Sequence, residues 1–145
     1  YSGNLLPDFS FLDTSMQTFT LLNLSNKTYL LAFGATWCGP CKKQIPNLKD
    51  IANKYTQDQL EVLYINMDNQ VDKWKDMINK YQLQGFINLT DIQTSNASKM
   101  VKLLDIVAFP TYLIIDENKK ILYNSTELRD FDLKLADGVL NKLFK

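Results

Sequence analysis

The sequence predicts a single α/β domain with a central mixed sheet and helices on both of its faces. Strand-like and helix-like segments alternate along most of the chain, which favours parallel strands with helices packed over them. Two strand-like segments near the end are joined by a tight turn, which adds antiparallel pairing. The chain has 145 residues, of which 46% are hydrophobic, and this suits one folded core. We expect one domain over 1–145, with an N-terminal extension over 1–28 and a core over 29–145.

The N-terminal extension is predicted to contain a β-hairpin. Residues 9–11 and 18–20 are strand-like and flank the turn-forming residues 13–15, as in a hairpin. The core then opens with residues 29–33, which are apolar almost throughout. A short apolar run of this kind is typical of a strand that is buried on both faces.

Helices and strands alternate through the rest of the core. The first helix is predicted from apolar residues at helical spacing: Ile45, Leu48, Ile51, Ala52 and Tyr55. The same reasoning predicts helices over 41–55, 71–81, 97–104 and 132–144. Strands are predicted over 60–65, 85–90, 112–115 and 121–123. Residues 85–104 thus form a strand–helix piece.

Composition excludes several classes of function. The chain carries 16 Lys and Arg against 16 Asp and Glu, with no histidine. A balanced charge without a basic block gives no support for nucleic-acid binding, and the absence of histidine excludes imidazole general-base chemistry. A structural zinc site needs four ligands, mostly Cys and His, which the sequence does not supply. We therefore predict no metal site, no cofactor and no nucleic-acid partner.

The two cysteines of the chain, Cys38 and Cys41, lie between a predicted strand and the first predicted helix. The free N–H groups and positive dipole at a helix N-terminus favour a thiolate at Cys38, and Cys41 is close enough to form a disulfide with it. An inert disulfide is the alternative, but a bond that closes so short a loop constrains the unfolded chain little. Sites in open α/β sheets lie at this carboxyl edge, so we predict an exposed redox pair.

The stretch Trp37-Cys38-Gly39-Pro40-Cys41 resembles the active-site motif of the thioredoxin superfamily residue for residue. In addition, Phe109-Pro110-Thr111 resembles the superfamily's cis-proline loop, which faces the disulfide. The resemblance implies a thioredoxin-like fold, with Cys38 as the nucleophile and Cys41 as the resolving thiol. The other site residues it implies support the cysteines (Trp37, Gly39, Pro40, Gln44 and Pro46) or bind substrate (Phe109, Pro110 and Thr111).

Two of these residues have more than one interpretation from the sequence. Trp37 either covers the cysteine pair on the solvent side or packs in the core. Phe109 either presents its backbone to an extended substrate segment, as a strand edge does, or is a core aromatic. Pro46 matches the superfamily proline that kinks the helix after the motif, and a proline inside a helix bends it on general grounds.

Within the superfamily the chain is most similar to the TlpA/ResA-like extracytoplasmic thiol–disulfide oxidoreductases. The similarity lies in "LLPDFSFLD", "AFGATWCGPCKKQIP", Trp74 and the insertion over 85–104. It implies a bacterial-type protein outside the cytoplasm, with a possible membrane tether outside this chain. Its partners would be protein thiols and disulfides and an upstream membrane or thioredoxin-type electron donor. The Gly-Pro dipeptide between the cysteines resembles reducing thioredoxins, so we expect a reductase.

Two acidic residues of the related proteins are missing here. Thioredoxins have a buried Asp where this chain has Ala32, and the ResA-like group often has a Glu where it has Gln44. Both acids are assigned to proton transfer at the second cysteine, whose thiol must ionise to react. Their absence keeps a second function open, in which the chain is a non-catalytic binding module with an idle cysteine pair.

Overall fold

The computed structural model describes residues 3–91, 102–106, 108–130 and 132–144. Its strands form one seven-stranded sheet in the order β2-β1-β5-β4-β3-β6-β7. The strands are β1 (Ser10–Leu12), β2 (Thr18–Thr20), β3 (Thr28–Gly34), β4 (Leu60–Asn66), β5 (Ile87–Thr90), β6 (Thr111–Ile115) and β7 (Ile121–Asn124). The helices are α1 (Gly39–Asn53), α2 (Val71–Lys80), α3 (Ser125–Leu128) and α4 (Lys134–Leu143).

The sheet is mixed, as the sequence predicts. β3 lies at its centre and pairs in parallel with β4 and antiparallel with β6. β5 continues the parallel part beside β4, and β7 closes the antiparallel edge beside β6. The predicted N-terminal hairpin is also confirmed, because β1 pairs antiparallel with β2 and joins the sheet through β5.

Strand β3, at the centre of the sheet, is covered on both faces. All seven of its residues are buried, which confirms the prediction of a strand covered on both faces. Successive side chains of a strand point to opposite faces. Accordingly, Leu30 and Ala32 belong to one core cluster, and Leu31 and Phe33 to the other.

Helices α1, α2 and α4 cover one face of the sheet. Their apolar sides contribute Ile45, Leu48, Ile51, Trp74, Met77, Ile78, Ala136 and Leu140 to the core on that face. The opposite face is covered by apolar residues of the N-terminal extension together with two residues that precede β6. These are Leu6, Phe9, Phe11, Leu24, Leu104 and Ile106.

The structure differs from the prediction mainly in short elements. Helix α3 and a 3-10 helix at Leu21–Asn23 were not predicted, since they are too short to show a periodic apolar pattern. Helix α3 depends instead on a cap, in which the Asn124 side chain accepts a hydrogen bond from Thr126 N at 2.9 Å. Most of the helix predicted over 97–104 lies outside the described residues. Of the three residues in this range that the structure describes, 102 and 103 are helical and 104 lies in a turn.

Candidate active site

The two cysteines lie where the chain leaves β3 and enters α1. Cys38 is the N-cap of α1, and its sulfur accepts a hydrogen bond from the backbone N–H of Cys41 at 3.1 Å. An N-cap side chain normally satisfies one of the free N–H groups of the first helical turn in this way. The structure therefore confirms that Cys38 lies at the positive end of a helix dipole, which favours its thiolate form.

Cys38 and Cys41 are joined by a disulfide, with their Cα atoms 5.3 Å apart. The expected exposure of the pair is wrong, since Cys38 is only 3% exposed and Cys41 only 2%. The cause is local packing: the cysteines form a small apolar cluster with Ala35, and Phe109 packs against it. The strand-to-helix junction thus lies at the sheet edge but is covered by its neighbours.

The prolines around the pair occupy two different helical environments. Gly39 and Pro40 are the first two residues of α1. A proline removes no helical hydrogen bond there, because the N–H groups of the first turn have no partner within the helix. Gly39 and Pro40 are both exposed. Pro46 lies inside α1, and because it has no N–H it leaves the carbonyl of Lys42 without its usual helical partner.

Trp37 and Phe109 form an aromatic edge beside the disulfide. Trp37 is 65% exposed, which rules out the alternative that it packs in the core. Its ring centroid lies 6.1 Å from that of Phe109 in a tilted arrangement. Phe109 is half-buried and packs against both the cysteine cluster and one face of the sheet core. It is therefore partly a core aromatic, as one interpretation had it, and partly exposed on the loop, as the other requires.

The loop before β6 has the form that the resemblance implies. The peptide bond between Phe109 and Pro110 is cis. Thr111 is buried and donates a hydrogen bond from its hydroxyl to the carbonyl of Ala108 at 2.7 Å. This bond closes the loop on itself, and pairing of Thr111 with Phe33 anchors it to the central strand.

An open groove of about 740 Å³ runs between this loop and the start of α1. The groove is lined by Gly39, Pro40, Lys43, Gln44, Ala108, Phe109 and Pro110. The two segments that the resemblance assigns to catalysis and to substrate binding thus share one concave surface. We call this surface the docking groove.

The two positions with missing acids lie on different elements, Gln44 on α1 and Ala32 on β3. Gln44 is half-buried on the wall of the docking groove, where its side-chain oxygen accepts a hydrogen bond from Asn47 at 2.9 Å. Ala32 is buried in β3, with Tyr64 opposite it on β4 and Tyr112 opposite it on β6. Two phenol side chains therefore border the position at which thioredoxins have an acid.

Asp68 is a residue that sequence reasoning missed. Its Oδ2 accepts hydrogen bonds from the backbone N–H and the hydroxyl of Thr36, both at 2.7 Å. Its Oδ1 accepts from Gln70 N at 2.9 Å and from Asn66 Nδ2 at 3.1 Å. Because Thr36 directly precedes Trp37 and Cys38, this carboxylate ties the active-site loop to the loop after β4.

The ionisation of Asp68 is set by two opposing effects. Burial raises the pKa of this carboxyl, but the hydrogen bonds from Thr36, Gln70 and Asn66 outweigh burial and hold the pKa below its usual value. The residue could have been found from the sequence, because carboxyl ends of adjacent parallel strands meet at one sheet edge. Asp68 follows β4 at the edge where Cys38 follows β3.

Comparisons with known proteins agree with this geometry. A family model described as Redoxin matches residues 1–140. The chain belongs to the Redoxin family. Among curated relatives, the thiol-disulfide oxidoreductase ResA of Bacillus anthracis is 25% identical over 120 residues, covering 83% of this chain and 66% of that protein. The thioredoxin-like protein YneN of Bacillus subtilis is 30% identical over 118 residues, covering 79% of this chain and 65% of that protein.

Solved structures share the fold over nearly the whole chain. The thioredoxin domain of a thiol-disulfide oxidoreductase from Bacteroides vulgatus has a TM-score of 0.85 at 21% identity, covering 100% of this chain and 99% of that one. A thiol:disulfide interchange protein from Bacteroides sp. has a TM-score of 0.81 at 22% identity, covering 97% and 91%. The predicted thioredoxin-like fold and the resemblance to ResA-like proteins are therefore confirmed.

The chain spans about two thirds of the length of the curated relatives that it matches. None of the helices in the described part of the chain combines the length and apolar character required to cross a bilayer.

Proposed function

We propose that this chain is a thiol–disulfide oxidoreductase that reduces protein disulfides through Cys38 and Cys41. The observation that carries the proposal is the position of Cys38. Its sulfur caps α1, accepts the N–H of Cys41 and is already bonded to the Cys41 sulfur. The pair therefore combines the electrostatics of a reactive thiol with a second cysteine placed to form a disulfide with it.

The reaction consists of two exchanges. In the reduced protein, the Cys38 thiolate attacks one sulfur of a substrate disulfide and forms a mixed disulfide, and the other substrate sulfur leaves as a thiolate. The Cys41 thiolate then attacks Cys38, which restores the Cys38–Cys41 bond and releases the second substrate thiolate. Two electrons pass from the cysteine pair to the substrate, and both departing thiolates take protons from solvent.

The docking groove is the proposed surface for the substrate. It lies between Pro40 on α1 and Phe109 and Pro110 on the opposite loop, so an extended segment that enters it contacts Phe109, which packs against the cysteine cluster. The backbone beside Phe109 would pair with such a segment as a strand edge does. The exposed ring of Trp37, which lies beside Phe109, offers a further apolar surface next to that residue.

The wider setting of the chain is proposed from its relatives and its motif. We place residues 1–145 in one domain that acts outside the cytoplasm, with a membrane tether beyond this chain. A membrane or thioredoxin-type dithiol would return the cysteine pair to its reduced form. The reducing direction rests on the Gly-Pro dipeptide, since thioredoxin, at roughly −270 mV, is a reductant.

A second candidate function is a binding module with an idle disulfide. Two observations favour it: both cysteines are nearly fully buried, and neither Ala32 nor Gln44 can accept a proton. The N-cap position of Cys38 and the adjacent docking groove favour the enzyme, since an idle disulfide requires neither.

Turnover of a model protein disulfide separates the two candidates. The wild-type chain, recycled by dithiothreitol, is expected to accelerate reduction of insulin well above the rate with dithiothreitol alone. A variant with both cysteines changed to Ser is the matched control and is expected to add nothing. If the wild-type protein is folded but inert in this assay, the oxidoreductase proposal is rejected and the binding module becomes the favoured function.

A further inference from the structure

The sulfur of Cys41 and the hydroxyl of Tyr64 both lie close to Gly34 at the end of β3. A β-carbon placed on Gly34 would lie 3.3 Å from Cys41 Sγ and 3.3 Å from Tyr64 Oη. The sulfur and the hydroxyl therefore border the same small volume at the end of β3. Gly34 keeps that volume open because any larger side chain would press on both atoms.

The Tyr64 ring is held in this position by its surroundings. Its backbone lies in β4 opposite Ala32, and the small side chain at position 32 leaves room for the phenol. On its other side the ring stacks with Phe86, with centroids 6.4 Å apart and planes within 9° of parallel. The residue is only 4% exposed, so the surrounding packing holds the ring in place.

The hydroxyl of Tyr64 is available to donate a hydrogen bond. Among the described residues, none makes a hydrogen bond with it. Burial, together with nearby Tyr81, raises the pKa of Tyr64, so the phenol keeps its proton and can act as a donor at any working pH. A disulfide sulfur is a poor acceptor, but a thiolate is a strong one.

Other titratable groups surround the pair on each neighbouring element. Helix α1 carries Lys42 and Lys43, β6 carries Tyr112 and the loop after β4 carries Asp68, whose carboxylate already binds Thr36. Among the residues that the structure describes, no carboxylate makes a hydrogen bond with either sulfur. Tyr64 is the titratable group whose polar atom borders the same volume as the Cys41 sulfur.

We propose that the Tyr64 hydroxyl donates a hydrogen bond to the Cys41 thiolate after the disulfide opens, and so promotes resolution of the mixed disulfide. The inference rests on the proposed function. In the step itself, the Cys41 thiol loses its proton to solvent water, and the resulting thiolate is stabilised by the Tyr64 O–H, which keeps its own proton. The thiolate then attacks Cys38, and the departing substrate thiolate takes up a proton from solvent.

This arrangement differs from an acid at position 32 or 44. A carboxylate would accept the thiol proton, whereas a phenol stabilises the thiolate without changing its own charge. Hydrogen bonds to charged groups contribute enough that losing one changes an equilibrium by about tenfold or more. Loss of this bond is therefore expected to be visible in the ionisation of Cys41.

The test is a pH titration of Cys41 in the 145-residue chain carrying Cys38→Ser, in which Cys41 is the one remaining thiol. The carbon-13 chemical shift of the labelled Cys41 β-carbon, followed by NMR against pH, gives the midpoint of thiolate formation without requiring a reagent to reach the buried sulfur. Tyr64→Phe is expected to raise this midpoint by about one pH unit. The ring and its packing remain, so the variant is expected to fold, and circular dichroism checks this.

Tyr112→Phe is the matched control, because it removes a buried phenol from the other side of Ala32. It is expected to shift the midpoint much less. Gly34→Ala provides a second variant, since its methyl group intrudes between the sulfur and the hydroxyl and should raise the midpoint in the same direction as Tyr64→Phe. Unchanged midpoints in Tyr64→Phe, or equal shifts in Tyr64→Phe and Tyr112→Phe, would overturn the proposal.

The titration can be read whatever the result of the insulin assay. The titration reads the ionisation of one thiol whether or not the wild-type chain reduces insulin. If wild-type protein turns over and the Tyr64→Phe midpoint does not move, then the role of Tyr64 is rejected and the oxidoreductase stands. If wild-type protein is inert and the midpoint moves, the hydrogen bond stands and the oxidoreductase is rejected.

Discussion

Cys38→Ser is expected to abolish reduction of protein disulfides, leaving only the background rate of the dithiol reagent. Cys38 is the thiol at the N-cap of α1, where the N–H of Cys41 points at its sulfur. A serine hydroxyl can take over the cap but is not a nucleophile toward disulfides, since exchange requires a thiolate. The measurement is the initial rate of insulin reduction at equal protein concentration.

The same substitution also separates loss of chemistry from loss of structure. Serine is close to cysteine in size and caps helices well, so Cys38→Ser should retain the circular dichroism spectrum and the docking groove. Reduced wild-type protein is the reference for stability, because the variant lacks the disulfide. A Cys38→Ser variant that still turns over would show that Cys41 or another group performs the first attack.

Asp68→Ala is expected to destabilise the protein by about 2 kcal/mol and to slow exchange. The carboxylate accepts four hydrogen bonds from Thr36, Gln70 and Asn66, and hydrogen bonds to a charged group contribute about 1.5–3 kcal/mol when buried. That range is for each bond, but Asp68 is only partly buried and water can replace its side chain, so we expect a total near the value for a single bond. Urea unfolding measures the stability, and the insulin assay measures exchange.

A matched control exists on the next helix. Asp76 is an exposed carboxylate of α2, and replacing an exposed residue of this kind usually changes stability by less than about 0.5 kcal/mol. If Asp68→Ala is no more destabilising than Asp76→Ala, the link between Asp68 and Thr36 does not stabilise the fold.

The contribution of Asp68 should also depend on pH in a defined direction. Its pKa in the folded protein lies below the ordinary value of 3.8, so folding favours the ionised form. The stabilisation is therefore fully present above the unfolded-state pKa and is lost as pH falls through the lower folded-state value. We expect the stability difference between wild type and Asp68→Asn to shrink below about pH 4 and to stay constant above about pH 5.

Much of the fold could be predicted because its signals are local. The apolar run that forms β3 and the helical spacing of Ile45, Leu48 and Ile51 in α1 both follow from burial of the segment in which they occur. The sequence motif also placed the cysteines correctly at a helix N-terminus. Helix α3 was missed because four residues carry no periodic pattern and depend on a cap.

The parts of the site that could not be predicted depend on strand register. Ala32 was recognised as a position without its usual acid, but its neighbours Tyr64 and Tyr112 come from strands far away in the sequence. The contact of Asp68 with Thr36 likewise joins two loops that only meet because β3 and β4 are paired in parallel. The burial of Cys38 arises in the same way, from Phe109 in the loop before β6.

Trapping of a mixed disulfide tests the roles of the two cysteines most directly. Cys41→Ser protein is reduced, mixed with a small peptide that contains one disulfide, and analysed by mass spectrometry with peptide mapping. If Cys38 attacks and Cys41 resolves, a stable adduct accumulates on Cys38, while wild-type protein treated in the same way releases the peptide and returns to its Cys38–Cys41 disulfide. Failure of Cys41→Ser to form the adduct, or equally fast adduct formation on Cys41 in Cys38→Ser protein, would contradict these roles.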